Sequence, residues 1–149
     1  MLNFFKKKDK KQEHVLVHWT DTLKVNVQTI DAQHKRLVEM INQLYTALQK
    51  GEARKQLAEI IANLRAYAAF HFAEEEYHLE KLNYPKDKLD YHKKEHAYFE
   101  EKVQEFEEKF LKGEPLGEDV LFFLAEWLVN HIKKTDKNYG PFLNKHGVR

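Results

Sequence analysis

Apolar residues recur along the chain at steps of three and four in four blocks, each bounded by Gly or Pro, and this pattern predicts four amphipathic helices. In the first block Leu37, Val38, Ile41, Leu44, Tyr45 and Leu48 line one stripe, with Asp31 a candidate N-cap and Gly51 a candidate stop. Leu57, Ile60, Ile61, Leu64, Ala68, Leu79 and Leu82 carry the second block to Asn83-Tyr84-Pro85. The third opens at Pro85 as the first helical residue and repeats Leu89, Phe99, Val103, Phe106 and Phe110 before Gly113. Glu114-Pro115-Leu116-Gly117 makes the next turn, and Val120, Leu124 and Trp127 then lead a stripe running to Gly140-Pro141. Connections of a few residues force consecutive helices to double back. The expected fold is therefore all-α, an antiparallel up-down-up-down four-helix bundle. Residues 1–30 are expected to form an N-terminal arm, 31–140 the bundle domain and 141–149 a C-terminal tail. Trp19 in the arm leaves open whether that segment packs against the bundle.

The stripes are not wholly apolar, because His34, His71, Glu75, His92, His96 and His131 fall on them and should face the bundle interior. A buried polar group without a partner costs about 1–3 kcal/mol, and a buried carboxylate costs more. Any one such histidine alone reads as a core residue bonded to a neighbour. Five of them with a carboxylate do not. His71 and Glu75, and separately His92 and His96, are four residues apart, so each pair projects from adjacent turns of one face toward one point. Helices one and four add His34 and His131. Asp136 follows His131 by five residues, about 140° away on a regular helix, so the spacing leaves its direction open. His14, His18, His78 and His146 lie off these stripes and read as surface or packing residues. Glu74 and Glu76 flank Glu75 on other faces and read as solvated.

Composition narrows the chemistry. Among 149 residues, 25 Lys and Arg nearly cancel 24 Asp and Glu, so no strong field recruits nucleic acid, and none is expected as a partner. With no cysteine, thiolate zinc sites, iron–sulfur clusters, c-type haem and thiol catalysis are excluded, and any metal must take nitrogen and oxygen ligands. The longest apolar run, Leu121 to Ala125, is far short of the roughly 20 residues that span a bilayer, so no stable membrane insertion is expected. The start, MLNFFKKKDKK, reverses the order of a secretory signal, which makes a cytoplasmic location the expectation and a solubilising arm its reading.

The residues singled out resemble the hemerythrin and bacteriohemerythrin family, in IDAQHKRL around His34, HFAEEEYHLEKLNYP from His71, HKKEHAYF from His92 and WLVNHIKKTD ending at Asp136. The likeness covers about residues 19 to 139, and the HxxxE, HxxxH and HxxxxD spacings fall in the family's order. It is the resemblance, and not helical geometry, that assigns Asp136 as a ligand. It implies a centre of two non-haem iron ions (Fe2+/Fe3+), oxo- or hydroxo-bridged. The implied ligands are His34, His71, Glu75, His92, His96, His131 and Asp136, with the two carboxylates bridging. Five imidazoles and two carboxylates suit intermediate metals such as iron, and seven donors exceed one tetrahedral zinc site.

The same resemblance implies that His92, His96 and His131 saturate one iron, while His34 and His71 leave an open position on the other for dioxygen. It places Leu128 against the bound oxygen, and Trp127 is expected beside it, either in that oxygen pocket or as plain core. Leu79 stands where many relatives carry Met. The function implied is reversible dioxygen binding, for storage, delivery or buffering, and no enzyme activity is expected. A di-iron enzyme acting on peroxide or nitric oxide, or an oxygen or redox sensor working through a separate partner, would use the same residues. Ferritin-like oxidases carry Glu-x-x-His pairs and a carboxylate-rich shell, whereas an imidazole-rich shell favours the ferrous state.

Overall fold

The computed structural model describes residues 15–149, so the lysine-rich start and His14 fall outside it. Helices α1 (Gln28–Gln49), α2 (Arg54–Lys81), α3 (Lys86–Leu111) and α4 (Glu118–Asn130) follow in order. A widened helical turn, His131–Asp136, comes next, and α5 (Lys137–Lys145) follows it. Among the described residues there is no strand, and no helix is long and apolar enough to cross a membrane. Helix α1 packs on α2 and α4, and α3 packs on the same two, which closes a four-helix bundle.

Left-handed residues end the helices where the pattern placed stops. Gly51 has φ 67°, its N–H meets the Leu48 carbonyl at 3.1 Å, and the Glu52 N–H meets that of Ala47 at 3.1 Å. Asn83 ends α2 in the same way at φ 60°.

Three boundaries differ from the sequence expectation. Asp31 is not the N-cap of α1, which is Val27; it lies within the first turn. Its carboxylate instead reaches back to accept the N–H groups of Val25 (2.7 Å) and Asn26 (3.1 Å), so it fastens the incoming chain. Pro85 is the N-cap of α3, one position before its expected place. Gly140-Pro141 does not stop the last helix, which runs on to Lys145. Pro141 has no N–H to give the Lys137 carbonyl, but Tyr139, Gly140 and Leu143 are buried there, and packing outweighs one lost hydrogen bond. A Cβ on Gly140 would stand 2.5 Å from the Val25 carbonyl oxygen, so this glycine serves close packing.

The described part of the arm is tied down. Asn42 accepts from the N–H groups of Leu16 and Val17 at 2.9 Å and donates to the Val17 carbonyl at 2.8 Å. Val17, Leu23, Val25 and Val27 enter the same buried cluster as Ile30, Leu37, Phe72 and Leu128, with Trp19 packed against it. A second cluster of Leu44, Ala47, Leu57, Ile61, Phe110 and Leu121 fills the other end of the bundle. That end is built from the late part of α1 and α3 and the early part of α2 and α4. The antiparallel order therefore brings the early turns of α1 and α3 and the late turns of α2 and α4 together at the opposite end.

Candidate metal centre

That opposite end holds every polar stripe residue. His34, His71, Glu75, His92, His96, His131 and Asp136 are all buried, none more than 4% exposed. Their donor atoms form two overlapping sets, one of Glu75, His92, His96, His131 and Asp136, the other of His34, His71, Glu75 and Asp136, each within a sphere of 4.8 Å separations. The carboxylates belong to both. Glu75 turns Oε1 to His96 (3.2 Å) and His92 (3.7 Å), and Oε2 to His34 (3.2 Å) and His71 (3.3 Å). Asp136 turns Oδ1 to His92 (2.9 Å) and His131 (3.0 Å), and Oδ2 to His34 (3.0 Å). Each carboxylate thus offers one oxygen to either set.

Asp136 reaches this position because the turn His131–Asp136 is π-helical. An i→i+5 repeat stacks residues five apart, where a regular helix would turn them away from each other.

Burial works against charge in this pocket, and the charges answer it in pairs. Burial would raise the Glu75 carboxyl, but His71, His34 and His92 around it hold it well below the usual carboxylate range. Asp136 is raised by burial and by Glu75, yet His131 and His34 hold it well below that range too. Burial would lower the imidazoles, but Asp136 and Glu75 push His34 up to about 9 and His92 to about 10. His131 rises to about 9, chiefly through Asp136 against the same burial. The cluster draws positive charge into its centre.

The residues fit a metal. The Nε2 atoms of His92, His96 and His131, Glu75 Oε1 and both Asp136 oxygens are buried and make no hydrogen bond among the described residues, despite their short separations. They are aimed at shared points and not along one another's hydrogen-bond directions. Left so, each orphan costs about 1–3 kcal/mol, and cations that accept their lone pairs remove that cost.

A further layer was not picked out from the stripes. Gln33 on α1 accepts the Nδ1–H of His71 on α2 at 2.7 Å. Glu76 on α2 does the same for His96 on α3 at 2.7 Å, and Glu95 on α3 for His131 of the widened turn at 2.6 Å. Each helix thereby orients an imidazole of the next. Glu76 is accordingly not a solvated flank, because its side chain is held on His96 and only 26% exposed. The signal was present in the sequence: Gln33, Glu76 and Glu95 are each adjacent to a stripe ligand, one step around the helix toward the next. Glu95 Oε1 also takes the Thr135 hydroxyl at 2.6 Å. Burial would raise the Glu95 carboxyl, but hydrogen bonds with His131, Thr135 and Tyr91 hold it down at about 2. The fully buried Tyr139 donates its hydroxyl to Glu75 Oε2 and stacks on His92.

Aromatic rings wall the five-donor set. Phe72 stacks on His96 with centroids 3.9 Å apart, and Trp127 stacks on His131 at 4.5 Å. Trp127 also meets Phe99 at 4.5 Å, while Leu128 is buried in the main cluster. His18 and His146 are exposed, and His78 is half-buried beside the Tyr77 ring.

Known proteins are similar to this chain in sequence and in fold. Residues 25–143 match the family described as Hemerythrin HHE cation binding domain. A bacteriohemerythrin of Pseudomonas aeruginosa is 41% identical over 121 residues, covering 81% of this chain and 77% of its own. One from Methylococcus capsulatus is 34% identical over 131 residues, covering 87% and 98%. The crystal structure of a wild-type hemerythrin superposes with a TM-score of 0.79 at 34% identity, covering 85% of this chain and 97% of its own. The chain therefore belongs to the hemerythrin HHE cation-binding family, with a four-helix bundle of the hemerythrin fold.

Proposed function

We propose that the protein binds dioxygen reversibly at a pair of non-haem iron ions, as a store, carrier or local buffer and not as an enzyme. The observation that carries this reading is the unequal division of donors: five protein groups in one set and four in the other, with Glu75 and Asp136 common to both. His92, His96 and His131 complete the first set; His34 and His71 complete the second and leave it one protein donor short, which is where a small ligand would enter. Bound as a ferrous pair, the ions supply the two electrons that dioxygen takes up on binding and gives back on release.

The remaining work falls to the chain. Glu75 and Asp136 would offset the charge of two cations in a site whose seven donor residues are all buried. Tyr139, donating to Glu75 Oε2, fixes which oxygen that carboxylate shows to His34 and His71. Gln33, Glu76 and Glu95 lock the tautomer and tilt of three imidazoles. Leu128 is the apolar wall proposed to lie against the oxygen, with Trp127 bracing His131 beside it. The apolar lining keeps out the water that promotes irreversible oxidation. A cytoplasmic location belongs to the same reading.

The test is to load the protein with ferrous iron under nitrogen, count iron per chain, then record visible spectra through cycles of air and nitrogen. Two irons per chain and bands that come and go with oxygen are expected. A single irreversible change at first exposure would turn the reading to oxidative chemistry.

A further inference from the structure

Behind the seven donors, the imidazoles are not held alike. In the five-donor set, His96 Nδ1–H goes to the Glu76 carboxylate at 2.7 Å and His131 Nδ1–H to the Glu95 carboxylate at 2.6 Å. In the four-donor set, His71 Nδ1–H goes to the neutral amide oxygen of Gln33 at 2.7 Å, and the buried His34 Nδ1 has no hydrogen-bond partner among the described residues. Glu75 and Asp136 cannot create this difference, because each gives one oxygen to either side. All the outer negative charge on imidazole therefore stands behind one position.

A carboxylate that accepts Nδ1–H pushes electron density through the ring and makes Nε2 a stronger donor, whereas an amide does so far less. A ferric ion gains more from stronger donors than a ferrous one. We infer that Glu76, Glu95 and Gln33 set an order of oxidation: the iron position of His92, His96 and His131 gives up its electron first, and that of His34 and His71 stays ferrous longer. The inference rests on the two-iron reading above. It makes the three outer residues positioning residues whose charge, beyond their geometry, tunes the centre. The ligand-accepting side is thereby held in the reduced form it needs. In the step itself one electron leaves the His92–His96–His131 position for an added outer-sphere oxidant; ferricyanide becomes ferrocyanide, Fe(II) becomes Fe(III), and no protein–metal bond breaks.

The experiment takes full-length protein labelled with 15N-histidine, loaded anaerobically with iron and half-oxidised with one equivalent of ferricyanide. Pulsed electron–nuclear double resonance then counts the imidazole nitrogens strongly coupled to the ferric ion. Three are expected, and two would overturn the order of oxidation. In parallel, Glu76→Gln and Glu95→Gln should each raise the first midpoint potential, and Gln33→Glu should lower the second, that of the His34–His71 position. Unmoved potentials in variants that keep both irons would overturn the role given to the outer charges. Two irons with the wrong nitrogen count defeat this inference alone. A chain that takes up one iron shows no coupled mixed-valence signal and defeats the two-iron reading together with it.

Discussion

His131 Nε2 lies 3.0 Å from Asp136 Oδ1 although the two residues are five apart, a spacing that a regular helix cannot turn to one side. The π-helical turn makes them neighbours and gives Asp136 an oxygen in both donor sets. Asp136→Ala is expected to empty both iron positions, with iron falling from two per chain to near none while circular dichroism keeps its helical form. A variant that still holds one tightly bound iron would show that Asp136 serves a single position.

His34 supplies one of only two imidazoles in the four-donor set, 3.2 Å from Glu75 Oε2 and 3.0 Å from Asp136 Oδ2. His34→Ala should release one iron and abolish the oxygen-dependent spectral change. His78, packed beside the Tyr77 ring, contributes to neither set, so His78→Ala should leave both properties unchanged. Equal losses in the two variants would break the assignment of faces.

Without metal, His34 and His131 are pushed up to about 9 and His92 to about 10, from an ordinary 6.5. A raised folded value means the folded chain holds more protons than the unfolded one between those limits. Its contribution to stability is complete below about 6.5 and is lost as pH climbs through 9 and 10. Glu75 and Asp136 are shifted the other way, so their contribution holds above about 4 and is lost in acid. The metal-free protein should therefore have its highest Tm between about pH 4.5 and 6.5 and a falling Tm toward pH 10. Iron requires deprotonated imidazoles, so the loaded protein should lose metal on acidification instead. A metal-free Tm that climbs from pH 6.5 to 9 would contradict the charge balance described for the pocket.

Gly140 leaves no room for a methyl group, since a Cβ would meet the Val25 carbonyl oxygen at 2.5 Å. Backbone cannot swing aside as a side chain does, so Gly140→Ala should cost about 1–3 kcal/mol and lower Tm by several degrees. Iron content at low temperature should be kept, because Val25 and Gly140 belong to neither donor set. An unchanged Tm would mean that the arm does not pack on α5 as described.

Much of this protein was legible from periodicity. Leu37, Ile41 and Leu44, or Leu89, Phe99, Val103 and Phe110, can bury one stripe only as helices, and Gly51 and Asn83 end them because few other residues take a left-handed backbone at little cost. The convergence of His34, His71, Glu75, His92 and His96 was legible too, since inward stripes on short-linked antiparallel helices meet by necessity. The far end of α5 was not, because Gly140-Pro141 carries a stop signal that only burial of Tyr139 and Leu143 overrides. Nor was the place of Asp31, whose partners are Val25 and Asn26 outside the helix.

The sequence by itself determined four helices, their antiparallel order and the convergence of the polar stripe donors on the bundle interior, because these follow from spacing, loop length and the cost of burying unpaired imidazole. Only the tertiary structure decided which oxygen of Glu75 and Asp136 faces which histidine, that the chain widens at His131 to carry Asp136 inward, and that Gln33, Glu76 and Glu95 each grip an imidazole of the next helix. Those relations cross between helices and depend on rotations of tens of degrees and contacts near 3 Å, which a one-dimensional pattern does not encode.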